Sequence, residues 1–113
     1  MEREVVKIEV PAPAAPRPQA PTDLQEMQEL ATAEAALKRD PARALALIKR
    51  SNERFPDGYF QQERAYVGIM ALIGLDRLAD ARAQAERFFA RYAGTPYAAR
   101  IRRALDAAAK SAK

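Results

Sequence analysis

Residues 40–56 read DPARALALIKRSNERFP, and thirty-seven positions later residues 77–93 read RLADARAQAERFFARYA. When the two stretches are aligned, alanine meets alanine, arginine meets arginine and aromatic meets aromatic: Ala44 with Ala81, Arg50 with Arg87, Arg54 with Arg91, Phe55 with Tyr92. A period of about 34–40 residues is typical of helical repeats, in which each unit is one helical hairpin. The two stretches therefore predict two copies of one hairpin.

Helix-breaking residues divide the rest of the chain at regular intervals. Asp40 and Pro41 suit the start of a helix, because aspartate caps the first turn and proline needs no donor there. Thr95 and Pro96 repeat that arrangement, and Gly58 and Gly94 follow helix ends. The pattern predicts five helices: from Thr22 or Asp23 to Asp40, from Pro41 to Phe55, from Tyr59 to Leu75, from Leu78 to Tyr92, and from Pro96 onward. Short connections make neighbouring helices antiparallel.

The predicted fold is therefore all-α, with two antiparallel helical hairpins and a C-terminal capping helix in residues 22–113. Residues 1–21 are predicted to be an extended or disordered linker, since 11–21 (PAPAAPRPQAP) contain five prolines. The alternation of Val6, Ile8 and Val10 leaves a second interpretation open, a short strand donated to another sheet edge.

The composition argues against an enzyme. The chain has no cysteine and no histidine, which excludes thiol chemistry, Cys/His zinc sites and a Ser-His-Asp arrangement. Its carboxylates are scattered over helix faces, and the closest pair, Asp76 and Asp80, has the positions of a cap and a first-turn residue. With four glycines there is no glycine-rich phosphate loop. We expect no catalysis, no cofactor and no metal.

The charge of +4 is concentrated near the C-terminus. Residues 95–113 contain five basic residues and one acid, Asp106. A basic surface on the last helix is predicted at Arg100, Arg102, Arg103 and Lys110. It is interpreted as a solvated helix face, with contact to nucleic acid or an anionic membrane as the alternative function. No run approaches the 18 apolar residues of a membrane span.

Small and apolar residues at fixed spacing resemble the tetratricopeptide repeat. The first unit has Ala44, Ile48, Ser51 and Pro56 at the family spacing, and the second has Ala81, Ala85, Phe88 and Ala93. The string AERFFARYAGTPYAARIRRAL at 85–105 is also similar to repeats of bacterial envelope proteins of the BamD and CpoB type. This resemblance implies a bacterial protein, in the periplasm or envelope rather than the cytoplasm, and an excerpt from a longer, anchored chain.

The resemblance also implies where a partner would bind. In such repeats the first helix of each pair lines a groove, which here assigns partner binding to Glu26, Glu29, Ala33, Glu63, Tyr66, Met70 and Ile73. An acidic lip and an apolar floor suit an apolar peptide or helix with basic flanks. The predicted function is a non-catalytic protein-interaction or scaffold module. A purely structural or oligomerisation role, with the capping helix covering these positions and a second copy as partner, is the further alternative.

Overall fold

The computed structural model describes residues 21–111, which form five helices and no strand. The helices are α1 (Pro21–Ala36), α2 (Pro41–Arg54), α3 (Gln61–Gly74), α4 (Leu78–Tyr92) and α5 (Pro96–Ser111). The predicted all-α architecture is confirmed. The predicted linker (1–21) and the alternative strand at its start lie outside the described residues, except for Pro21, the first residue of α1.

The predicted helix starts at Pro41 and Pro96 are confirmed. Asp40 Oδ1 accepts a hydrogen bond from the Arg43 amide at 3.1 Å, and Thr95 Oγ1 accepts one from the Ala98 amide at 3.3 Å. Each bond satisfies an amide that has no partner within the helix. The predicted end of α1 is wrong by four residues, because 37–39 form a turn. The predicted start of α3 at Tyr59 is early by two residues.

A left-handed residue ends α3. Asp76 has a φ of 61°, its amide donates to Ile73 O at 2.9 Å, and the Arg77 amide donates to Leu72 O at 2.9 Å. This pair of bonds is the Schellman arrangement, which satisfies the last carbonyls of a helix. It turns the chain sharply into α4.

Helix α3 is the centre of the domain. Each helix contacts the next along the chain, and α3 also contacts α1 and α5. Within residues 21–111, no Cα atom of α2 lies within 8 Å of a Cα atom of α4. Both helices therefore pack on α3, with a gap between their backbones.

Alanines allow the helices to pack closely. Ala44, Ala81 and Ala85 are at most 1% exposed and belong to one core cluster with Ile69, Leu72, Phe88 and Ile101. A second cluster joins α1 to α2 and α3 through Leu30, Ala33, Ile48 and Val67. The aligned alanines Ala44 and Ala81 of the sequence repeat are thus fully buried.

The inward face of α1 differs from the apolar stripe in the sequence. Leu24 and Met27, which fit that stripe, are 49% and 37% exposed, whereas Glu26 is 1% exposed. Glu26 Oε1 accepts from the Tyr59 amide at 2.8 Å, and Oε2 accepts from the Phe60 amide at 2.9 Å. The amides at the start of α3 attract a carboxylate because they carry partial positive charge and have no helical acceptor.

A buried ion pair completes this contact. Arg64, which is 3% exposed, places Nη1 2.9 Å from Glu26 Oε2 and 3.4 Å from the carbonyl oxygen of Ser51. Buried charges are tolerated only where partners replace the lost water. One carboxylate therefore joins α1, the 55–60 connection and α3.

Gly58 leaves the space that the Glu26 carboxylate occupies. A Cβ at position 58 would lie within 2.6 Å of both Glu26 oxygens and Cδ, whereas a Cβ at Gly94 would meet nothing within 4 Å. We expect Gly58→Ala to lower the free energy of unfolding by about 1–3 kcal/mol, as overpacking does. Gly94→Ala, the matched control, should not destabilise. Urea unfolding measures both, and equal effects would contradict this account of the Glu26 contact.

The left-handed turn at Asp76 gives a second expectation. Asp76→Gly should raise the free energy of unfolding by about 0.5–1 kcal/mol, because glycine adopts positive φ without a steric cost. Asp76→Ala should lower it, since alanine lacks the short polar group that helps aspartate enter this region. Thermal and urea unfolding of the two variants provide the measurement. An alanine variant more stable than the glycine variant would rule out strain at this residue.

Candidate partner-binding groove

A groove of about 430 Å³ separates α2 from α4. We call it the α2–α4 groove. It exists because the backbones of the two helices stay apart and because α3 contributes the small residues Ala65 and Gly68 to its floor. Its lining comprises Leu45, Ile48, Lys49 and Asn52 of α2, Pro56, Gln61, Arg64, Ala65, Gly68 and Ile69 of the floor, and Gln84, Arg87, Phe88, Arg91 and Tyr92 of α4.

The rim of the groove is basic. Lys49 on α2 and Arg87 and Arg91 on α4 are exposed, and no carboxylate belongs to the lining. Within residues 21–111, none of these three cations forms an ion pair. Arg64 at the floor is neutralised by Glu26, so the unbalanced positive charge comes from the rim.

An aromatic wall supports this rim on the α4 side. The Phe88 and Tyr92 rings pack with their centroids 4.9 Å apart, and the Arg91 guanidinium carbon lies 5.2 Å from the Tyr92 centroid. A cation over a ring at this distance is attracted to its π face. The contact holds the Arg91 guanidinium over the ring while leaving the residue exposed.

One buried donor at the floor has no acceptor. Arg64 Nε is buried and lacks a hydrogen-bond partner among the described residues, whereas Nη1 of the same side chain has two. An unsatisfied buried donor typically costs about 1–3 kcal/mol.

The residues predicted from the family resemblance lie elsewhere. On α3, the groove is lined by residues such as Gln61 and Ala65. The predicted residues Tyr66 and Met70 lie five positions after them, which is about 140° around the helix at 100° per residue. The predicted residues therefore face away from the groove. Glu63 and Ile73 are on the same side as Tyr66, and all four are half-buried.

The predicted residues of α1 are turned toward the protein. Glu26 and Ala33 are at most 1% exposed, so neither side chain presents the expected lip or floor to solvent. Glu29 accepts a hydrogen bond from Ser51 Oγ at 2.7 Å and pairs with Arg54. Partner binding by these residues stays a prediction, and the structure gives each of the two glutamates an intramolecular partner.

Tyr66 packs against Tyr97 of α5, and Glu63 acts electrostatically on Glu34 of α1. The Tyr66 and Tyr97 rings are 4.8 Å apart, so α5 covers part of the predicted floor. Partial desolvation first, and then the charge of Glu63, raises the pKa of the Glu34 carboxyl, although the residue as a whole is exposed. Burial also raises the pKa of Tyr97, with Glu63 and Glu34 adding to the effect and Arg100 opposing it. We call Glu34, Glu63, Tyr66 and Tyr97 the acidic–aromatic face.

The predicted basic surface on α5 is divided. The Arg100 guanidinium carbon lies 5.7 Å from the Tyr97 centroid, and that of Arg102 lies 4.3 Å from the Phe89 centroid. Arg103 and Lys110 are exposed. Two of the four predicted cations therefore cover aromatic rings.

The described residues contain no group of three or more metal-ligating side chains. Among the helices of 21–111, none is both long enough and apolar enough to cross a lipid bilayer.

The α2–α4 groove was not predicted from the sequence. The signal was present: Lys49, Arg87 and Arg91 are one or two residues from positions that the repeat assigns to close packing. Neither the gap between α2 and α4 nor its floor can be deduced from one helix at a time.

The acidic–aromatic face gives a pH-dependent expectation. Because the Glu34 pKa is raised above its ordinary value of 4.5, the folded chain holds this proton to higher pH than the unfolded chain. The free energy of unfolding therefore falls as the pH rises from the unfolded-state pKa through the folded-state pKa. Glu34→Gln should therefore stabilise slightly at pH 7 and not at pH 3.5. Glu86→Gln, at an exposed position on α4, is the control. Urea unfolding at both pH values measures the difference; an equal effect at both would contradict it.

The chain matches no protein-family model, no curated protein and no solved structure. Its function is therefore inferred from the geometry and charge of its own surface.

Proposed function

We propose that this domain is a non-catalytic protein-interaction module that holds a segment of a partner protein in the α2–α4 groove. The observation that carries this proposal is a groove lined by apolar side chains of α2, α3 and α4 and framed by exposed cations that have no carboxylate partner within residues 21–111. Apolar centres with polar rims are typical of surfaces that bind polypeptides.

The size of the groove supports a short segment. Ligand sites usually enclose about 300–1,000 Å³, and this groove, at about 430 Å³, lies in the lower half of that range. Its walls are two helices fixed on a common third helix, so the groove does not have to be assembled on binding. Preformed sites lose less conformational entropy when they are occupied.

A protein partner is favoured over nucleic acid or an anionic membrane. Those ligands reward a continuous array of free cations, whereas Arg100 and Arg102 on α5 pack over aromatic rings. The groove offers stacked apolar and aromatic side chains between only three rim cations, which suits side chains of a polypeptide.

Filling the groove tests the proposal. Asn52 is exposed and lines the α2 wall, so Asn52→Trp should occupy the space without disturbing the core. Twelve-residue peptides selected by phage display on the wild-type chain should bind this variant at least tenfold more weakly by fluorescence anisotropy. Ala90→Trp, an exposed position on the other side of α4, is the matched control and should retain the affinity.

A second variant and a folding check distinguish a blocked groove from an unfolded protein. Ala65→Leu narrows the floor from α3, and circular dichroism verifies the helix content of all three variants. If selection yields no peptide, or if the selected peptides bind Asn52→Trp and Ala65→Leu as tightly as the control, the groove is not a partner site.

A further inference from the structure

The charge of the α2–α4 groove specifies the chemistry of its occupant. Resting on the function proposed above, we infer that the bound segment is acidic: an extended stretch of about four residues in which two carboxylates flank an apolar side chain. Each part of this description follows from a separate property of the groove.

The sign of the charge comes from the rim. Lys49, Arg87 and Arg91 approach the groove from both walls, and no carboxylate lines it. A neutral or basic segment would bring no compensating charge to these cations, whereas aspartate and glutamate form charge-assisted hydrogen bonds with arginine. The groove therefore selects an acidic partner over a basic one.

The spacing of the carboxylates comes from α4. Arg87 and Arg91 are one helical turn apart, which places their Cβ atoms about 5–6 Å from each other. Alternate residues of an extended segment are separated by about 6.4–6.8 Å and point to the same side. Acids at positions i and i+2 would therefore face the two arginines, and the residue between them would face the apolar wall of Leu45 and Ile48.

The extended conformation comes from the dimensions. The α4 lining runs from Gln84 to Tyr92, a rise of about 12 Å along the helix, which matches four extended residues at about 3.3 Å each.

Three defined peptides test the inference by amide chemical-shift titration of the ¹⁵N-labelled chain. The first, GDLEFG, has acids at alternate positions. The second, GNLQFG, is its neutral counterpart, and the third, GDELFG, places the same acids next to each other. The alternating acidic peptide should bind at least fivefold more tightly than the other two at low salt, and its advantage over GNLQFG should shrink as salt is raised.

Matched charge reversals locate the effect. The double variant Arg87→Glu with Arg91→Glu should abolish the preference for GDLEFG over GNLQFG. Arg82→Glu changes the charge of the same helix on its other side and should preserve the preference. Both arginines of the double variant are exposed, so the fold should survive the change.

The outcomes separate this inference from the proposed function. If all three peptides bind equally and Asn52→Trp weakens all three, the groove binds segments without regard to charge and the inference is wrong. If Asn52→Trp weakens none, the proposed function itself is wrong. A single-stranded oligonucleotide is the last competitor. If it displaces GDLEFG at a lower concentration than unlabelled GDLEFG does, the rim cations bind phosphate in preference to carboxylate, and the acidic-peptide inference is also wrong.

Discussion

The fold depends on one buried carboxylate. Glu26 of α1 accepts hydrogen bonds from the amides of Tyr59 and Phe60 and pairs with Arg64, so it fixes the start of α3 against the first helix. Breaking a buried pair by removing one partner typically costs about 3–5 kcal/mol, because the other charge is left without compensation. The lack of a side chain at Gly58 is part of the same arrangement, since any Cβ there would meet the carboxylate.

Once the start of α3 is fixed, the rest of the architecture follows from helix contacts. α3 is in contact with each of the other four helices, while α2 and α4 stay apart. The space between them becomes the α2–α4 groove, and the other side of α3 meets α5 through Tyr66 and Tyr97. The two sides of one helix thus differ in charge: cations frame the groove, and Glu34 and Glu63 lie on the acidic–aromatic face.

The fold and the candidate site were accessible from the sequence to different degrees. Helix starts at Pro41 and Pro96 were predictable because a cap and a proline act through neighbouring residues only. The inward face of α1 was not predictable, because Glu26 is buried by hydrogen-bond partners more than thirty positions along the chain. Hydrophobic periodicity places a glutamate outside by default, and only the free amides of another helix justify the exception.

The sequence by itself determined that residues 21–111 are all-α, that Asp40 and Thr95 begin helices, and that Ala44 and Ala81 face the core, since these depend on local hydrogen bonds and side-chain size. Only the tertiary structure decided which surface is open. Lys49 and Arg91 lie on different helices, and their common groove depends on how far α3 holds α2 and α4 apart. The charge of a helix follows from its own residues, but the α2–α4 groove in which that charge acts depends on the packing of three helices.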